Sequence, residues 1–146
     1  MLLPAPGIVA STAVRDALRA DPHVQAALHQ LDALDVIYVG IGSLASNPVL
    51  TDGQSLPAGS YDELRRAGAI GDVALRFFDA DGVFVHTSLD ERILGITAEQ
   101  LQNAPRVVAV AGGPDKADAI RAALKADIID VLITDQQTAE ELANRS

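Results

Sequence analysis

The stretch GGPDK, residues 112–116, has the residue types of an anion-binding turn. Two glycines expose backbone N–H groups, and a proline suits the first position of a helix. The positive end of a helix dipole favours phosphate or carboxylate there, and it repels a lysine by about 0.3 to 1 kcal/mol. We therefore expect Gly112, Gly113 and Lys116 to bind an anion. The alternative is that Asp115 and Asp118 neutralise a solvent-exposed lysine.

A second pair of glycines, Gly40 and Gly42, ends a predicted strand and is followed by Ser43 and a loop rich in Ser, Pro and Gly. Glycines at a strand end let a ligand or another backbone approach closely. Loops at the carboxyl ends of strands in α/β sheets commonly carry ligand contacts. The third glycine of the dinucleotide fingerprint is missing, so a packing role and a ligand role both remain open.

Other residues that could support catalysis or bind a metal lack the required spacing. His23 and His29 are six positions apart and do not share a helix face, and His86 stands alone. The DADG stretch at 79–82 departs from a calcium loop at its next two positions. There is no GxSxG motif and no cysteine, which excludes cysteine nucleophiles, thiolate zinc sites and disulfides. We expect no catalytic residue, no metal and no cofactor.

The elements that must position these residues alternate between strands and helices. Val- and Ile-rich runs at 35–42, 72–79, 106–113 and 130–135 predict strands buried in a parallel sheet, and the prolines of residues 2–10 limit a fifth. Helical patterns occupy 12–21, 22–34, 60–69, 114–127 and 135–146, the last capped by Thr134 or Asp135. Asp81-Gly82 predicts a tight hairpin.

This order predicts one α/β domain over residues 1–146. We expect a three-layer, Rossmann-like, mostly parallel sheet with helices on both faces and one antiparallel edge hairpin.

Composition narrows the classes of partner. Eleven Lys and Arg against 20 Asp and Glu give a formal charge of −9, the wrong sign for unspecific binding to a phosphate backbone. Aromatic residues make up 3%, too few for a base-stacking surface. No apolar run reaches the roughly 18 residues of a membrane span, and the first residues lack the basic region of a signal peptide. We expect no membrane partner and a cytoplasmic location.

Six segments occur in the order and approximate spacing seen in one family: LLPAPGIVAS, DVIYVGIGSL, GAIGDVALRFFDADG, ERILGITAEQL, RVVAVAGGPDKADAIRAAL and DVLITDQQTAEEL. The chain resembles, over nearly its whole length, the C-terminal sugar-binding domain of SorC/DeoR-type bacterial transcriptional regulators. That resemblance implies a fold like that of sugar-phosphate isomerases and deaminases. It also implies an effector domain that binds a sugar, commonly phosphorylated, and so changes how an oligomer holds operator DNA.

The resemblance also implies what lies outside this chain. The helix-turn-helix of the family is not recognised here, nor is the first part of the sugar domain, which carries a further Gly- and Thr-containing phosphate loop. We expect operator DNA to be contacted only through a domain absent from this chain, and the full-length protein to be a homodimer or homotetramer. The apolar face of the hairpin around Val83 to Val85 is a candidate subunit contact, with an internal core contact as the alternative.

Individual residues carry over by position. Lys116 matches the lysine of the family's GG..K segment in the effector pocket, and Gly40 and Gly42 match glycines that border it. Asp72 matches an acidic position that contacts sugar hydroxyls in some members, a role suited to a carboxylate that accepts two hydrogen bonds. Regulators of central glycolytic genes carry an Arg pair after GIG, whereas residues 47–54 here read NPVLTDGQ. A monophosphate or free sugar therefore fits better than a bisphosphate.

Two alternatives to an effector domain come from other classes. An isomerase or deaminase acting on sugar phosphates would use Asp72, Asp79, Asp135 or His86 as acid and base, although these form no compact constellation in the sequence. A domain that has lost its ligand would serve only in oligomer formation.

Overall fold

A computed structural model describes residues 2–46 and 56–144 of the chain. Its strands are β1 (Ile37–Val39), β2 (Ile41–Ser43), β3 (Gly71–Val73), β4 (Arg76–Phe78), β5 (Val107–Val110) and β6 (Val131–Ile133). Its α-helices are α1 (Thr12–Arg19), α2 (Pro22–His29), α3 (Ser60–Arg66), α4 (Ala98–Asn103), α5 (Ala117–Lys125) and α6 (Gln136–Asn144). Short 3-10 helices span Gln30–Ala33, Ser88–Arg92 and Pro114–Lys116.

A parallel sheet forms one part of the fold, in the order β1-β5-β6. Ile37 lies opposite Val107, and Val108 lies opposite Val131. The connection from β5 to β6 runs through α5, which is the crossover that parallel neighbours require. The strand–helix alternation predicted from the sequence is confirmed for this part, and the fold is a mixed α/β one with helices and a parallel sheet.

The apolar run at 35–42 divides between two sheets. The chain leaves the parallel sheet after β1, passes through the exposed Gly40 and enters β2, which belongs to an antiparallel sheet in the order β2-β3-β4. A Cβ built on Gly40 would meet nothing within 4 Å. The space beside the Gly40 Cα is therefore open at the point where the chain passes from one sheet to the other.

The run at 72–79 was predicted as one strand of the parallel sheet, and this prediction is wrong. The chain reverses at Ala74 and Leu75, so that β3 and β4 pair antiparallel with Val73 opposite Arg76. Both turn residues have left-handed backbone, with φ of 51° and 65°. Such turns usually carry Asn or Gly, and neither is present here, so no residue pattern indicated the reversal.

The tight turn predicted at Asp81-Gly82 is confirmed. Gly82 has a φ of 77°, the Asp79 N–H donates to the Val83 carbonyl at 3.0 Å, and Phe78 bridges Phe84 in antiparallel fashion. The prolines near the amino end limit pairing as expected, since residues 2–10 contribute one isolated bridge between Ile8 and Ile93.

The main core lies between the parallel sheet and the helices. Ile37, Val107 and Ala109 point to one face, where they pack with Ile120 and other buried residues of α5. Gly71 of β3 lies so close to α5 that an added Cβ would come within 2.7 Å of the Ala119 Cβ. A second cluster around Leu64, Phe77 and Leu89 fills the space behind the antiparallel sheet.

The opposite face of the parallel sheet is largely exposed. The register places Tyr38, Val108, Val110, Val131 and Ile133 on this face. Tyr38 is 73% exposed, Val110 55% and Ile133 52%, whereas Val108 in the middle is buried. Parallel sheets normally have both faces covered. We call these five residues the open face; the helix cover predicted for both faces is found, among the described residues, on the other one.

None of the described helices is long and apolar enough to cross a membrane.

Candidate functional site

Lys116 lies at the join between a short turn and a helix. The chain leaves β5, passes through Gly112 and Gly113, and forms the 3-10 turn that ends at Lys116. Gly113 has a φ of 106°, which a residue with a side chain rarely adopts. The Lys116 N–H donates to the Gly113 carbonyl at 3.1 Å, and α5 begins at the next residue. The predicted lysine in the first turn of a helix is therefore observed at the position that caps it.

A cavity of about 360 Å³ opens at the carboxyl ends of β5 and β6. In α/β sheets this edge is where ligands bind. The cavity is lined by Val110, Gly112, Lys116, Ile133, Thr134 and Asp135, together with Ala111. Two of the predicted site residues, Lys116 and Gly112, therefore share one cavity.

The charge of Lys116 has no carboxylate partner within 4.0 Å among the residues that the structure describes. Asp118, considered above as its neutralising neighbour, accepts instead from Arg121 Nη1 at 2.9 Å. A lysine that lines a cavity without an ion-pair partner can donate to an anionic or hydroxyl group that enters it.

The Gly113 N–H is already bonded inside the protein. It donates to Thr138 Oγ1 at 2.8 Å and to Asp135 Oδ2 at 3.2 Å. The Thr138 hydroxyl in turn donates to Asp135 Oδ2 at 2.7 Å, and the Thr138 N–H donates to Asp135 Oδ1 at 2.8 Å. We call Asp135, Thr138 and the Gly113 N–H the clasp. Asp135 thereby caps α6, which confirms one of the two predicted caps.

The clasp favours the ionised form of Asp135. The backbone and hydroxyl hydrogen bonds from Thr138, with a further one from Gly113, lower the pKa of Asp135 below its usual value of 3.8. Gly112 lies so close to this carboxylate that an added Cβ would overlap Asp135 Oδ2. The wall of the cavity thus contains both Lys116 and Asp135, and the Asp135 carboxylate accepts hydrogen bonds from Gly113 and Thr138.

Asp72, Gly42 and Ser43 lie together on the antiparallel sheet. Asp72 of β3 is opposite Gly42 of β2, and Ser43 follows in the same strand. Asp72 is 7% exposed and Ser43 6%. Asp72 Oδ2 accepts from the Leu75 N–H at 3.1 Å, so this carboxylate also stabilises the left-handed turn.

The structure brings β2 next to the turn that carries Lys116. Ser43 lines a different cavity of about 470 Å³, together with Asp115 of that turn. Within the described part of the chain, the lining of the Lys116 cavity does not include Asp72, Gly40 or Gly42. Residues 47–54, whose sequence favoured a monophosphate or free sugar, lie outside the described residues. The roles of Asp72, Gly40, Gly42 and Ser43 in binding stay predictions.

Sequence reasoning considered Thr134 only as a helix cap and did not place Thr134 or Thr138 at the site. Thr134 lines the Lys116 cavity, and its buried hydroxyl has no hydrogen-bond partner among the residues that the structure describes, while Thr138 is 1% exposed. The Asp-x-x-Thr spacing of 135–138 was a signal for a helix cap. Nothing in the spacing showed that the cap would also hold Gly113, because that contact joins residues 25 positions apart.

Across residues 2–46 and 56–144, no group of three or more His, Asp or Glu residues is arranged to hold a metal ion.

Comparisons with known proteins agree on one family. A family model described as "Putative sugar-binding domain" matches residues 1–144. The chain is 37% identical over 144 residues to the transcriptional regulator LsrR of Enterobacter sp. (strain 638), covering 94% of this chain and 44% of that protein. It is 33% identical over 141 residues to the sorbitol operon regulator of Klebsiella pneumoniae, with the same coverage.

A solved structure gives the same result. A DeoR family transcriptional regulator from Listeria monocytogenes superposes with a TM-score of 0.88 at 31% identity, covering 97% of this chain and 57% of the other. The chain spans less than half the length of the two curated relatives, 44% of each.

Proposed function

Since the chain belongs to the family of sugar-binding domains carried by SorC- and DeoR-type transcriptional regulators, we propose that it binds the effector of a sugar-responsive regulator. The effector is a sugar or sugar phosphate. Its binding modulates the hold of a separate helix-turn-helix domain on operator DNA. The protein acts in the cytoplasm, as a homodimer or homotetramer, and performs no catalysis.

The observation that carries this proposal is the position of Lys116. It lines a cavity at the carboxyl ends of two parallel strands, without a carboxylate within 4.0 Å in the described part. A phosphate bound there would gain a charge-assisted hydrogen bond from the ammonium group. The Gly113 N–H already donates to the clasp and is not available to a phosphate. We therefore expect Lys116 to contribute more to phosphate binding than this backbone N–H does.

The open face supports an effector site completed by further polypeptide. Val110 and Ile133 line the Lys116 cavity and are also more than half exposed on the open face. The matched region is 57% of the solved Listeria chain, so that relative has residues beyond the match. We propose that, in the full-length protein, residues comparable to those of the Listeria relative beyond the match cover the open face and provide the remaining wall of the Lys116 cavity.

Calorimetry on charge variants tests the proposal. A panel of pentose and hexose phosphates and their unphosphorylated analogues is first screened on the full-length protein by the rise in melting temperature. Lys116→Ala should then weaken a phosphorylated hit by about 10- to 100-fold, equivalent to the roughly 1.5–3 kcal/mol of a hydrogen bond to a charged group. The unphosphorylated analogue should change by less than about threefold, since it lacks the anionic partner.

Lys125→Ala is the matched control. Lys125 lies at the other end of α5 and pairs with the exposed Asp81 at 3.0 Å, so the net charge changes equally at a distance from the cavity. Equal losses for phosphorylated and unphosphorylated ligands would remove the proposed role of Lys116. Turnover of any sugar phosphate in the panel would instead show an enzyme.

A further inference from the structure

Gly113 connects the clasp directly to the lysine turn. Its N–H donates to Thr138 and Asp135, and its carbonyl accepts from the Lys116 N–H at 3.1 Å. Both sides of this residue are therefore held at once, one by α6 and the other by the turn. Gly113 has a φ of 106°, and it has no side chain that would restrict its backbone to other conformations. Its conformation depends on these bonds.

Thr138 is placed to hold that residue. Its side chain is almost fully buried, and its hydroxyl both accepts from the Gly113 N–H and donates to Asp135. One hydroxyl oxygen thus joins the two other members of the clasp. Burial leaves it no water to replace either bond if the hydroxyl is removed.

We propose that Thr138 is a positioning residue for ligand binding: it fixes Gly113, and through Gly113 it sets the place of Lys116 at the cavity. This inference rests on the proposed function for its consequence, since a positioned lysine matters for affinity only where Lys116 contacts the ligand. Thr138 itself contacts Gly113 and is not among the residues that line the cavity.

Two substitutions separate the hydroxyl from the shape of the side chain. Thr138→Val keeps the branched shape and removes both hydrogen bonds, while Thr138→Ser keeps the hydroxyl. Amide hydrogen exchange followed by NMR reads the clasp without any ligand. In Thr138→Val the Gly113 amide should exchange at least about tenfold faster than in the wild type, and Thr138→Ser should restore exchange to within about threefold.

Val24→Ala controls for a general loss of stability. Val24 is a fully buried residue of α2, far along the chain from the clasp. It should speed the slowest amides of the core together, without a larger effect at Gly113. Exchange at Gly113 that is no faster in Thr138→Val than in Val24→Ala would overturn the positioning role.

The ligand arm uses the full-length protein, because further polypeptide is proposed to complete the site. Inorganic phosphate and ribose 5-phosphate are the probes, followed through the Lys116 amide signal. The dissociation constant should rise about tenfold in Thr138→Val and stay within about twofold in Thr138→Ser. Unchanged affinity in Thr138→Val would refute the inference while leaving the proposed function standing. A wild-type full-length protein that responds to neither probe would count against the proposed function, and the exchange experiment would still decide whether Thr138 holds Gly113.

Discussion

Replacing Gly112 by alanine should destabilise the protein through one identifiable overlap. The new Cβ would fall on Asp135 Oδ2, and the Thr134 Oγ1 lies 3.3 Å away. Asp135 cannot move aside freely, because Gly113 and both polar groups of Thr138 donate to it. If Asp135 stays in place, overpacking of this kind costs about 1–3 kcal/mol of folding free energy. If Asp135 moves and a clasp hydrogen bond breaks, the cost is of similar size.

Thermal unfolding gives the measure. For a chain of this size, 1 kcal/mol corresponds to a change in melting temperature of about 3–5 °C, so Gly112→Ala should melt about 3–15 °C lower. Gly40→Ala is the matched control, since a Cβ there meets nothing within 4 Å and should change stability by less than about 0.5 kcal/mol.

A double-mutant cycle assigns the cause. In an Asp135→Ala background the carboxylate is gone, so adding Gly112→Ala should cost less than about 0.5 kcal/mol more. An equal cost of Gly112→Ala in both backgrounds would refute the overlap as its origin. A melting temperature within 1 °C of the wild type for the single variant would refute the packing argument altogether.

Two further predictions concern stability away from the site. Asp127 follows the end of α5 with a left-handed φ of 54°, and the Ile128 N–H donates to the Ala123 carbonyl at 3.0 Å. Because glycine adopts this backbone without strain, Asp127→Gly should be more stable than Asp127→Ala by about 1 kcal/mol in urea unfolding. Hydrogen bonds from the Ser88 hydroxyl and N–H lower the pKa of Glu63 below its usual 4.5. The resulting stability is present above pH 4.5 and lost as the pH falls through the lowered pKa, so the melting temperatures of wild type and Glu63→Gln should converge on acidification; a constant gap down to pH 2.5 would contradict this.

The parallel part of the fold was predictable because its signals are local. The runs at β1, β5 and β6 are Val- and Ile-rich, and the pattern between 114 and 127 alternates as a helix that packs one face. The antiparallel sheet was not predictable in the same way. Ala74 and Leu75 adopt left-handed backbone without the Asn or Gly that normally marks it, and Asp72 helps to hold the turn by accepting from Leu75.

The candidate site shows the same division. The residue types of 112–116 indicated an anion-binding turn, and the structure places Lys116 at a cavity. The same residue types suggested that the Gly113 N–H would face a ligand, whereas it is taken up by Asp135 and Thr138. Contacts between residues more than 20 positions apart decide which backbone groups remain available, and no local pattern records them.

The open face has a thermodynamic consequence for ligand binding. Val110 and Ile133 belong both to this face and to the lining of the Lys116 cavity. Under the proposed function, a polypeptide that packs on the face would contact the same Val110 and Ile133 that line the cavity, so the two binding events would be coupled. Linkage makes the two effects reciprocal: whatever factor the cover adds to ligand affinity, the ligand adds to the affinity of the cover. A change of effector concentration would then be read out as a change in subunit or domain association.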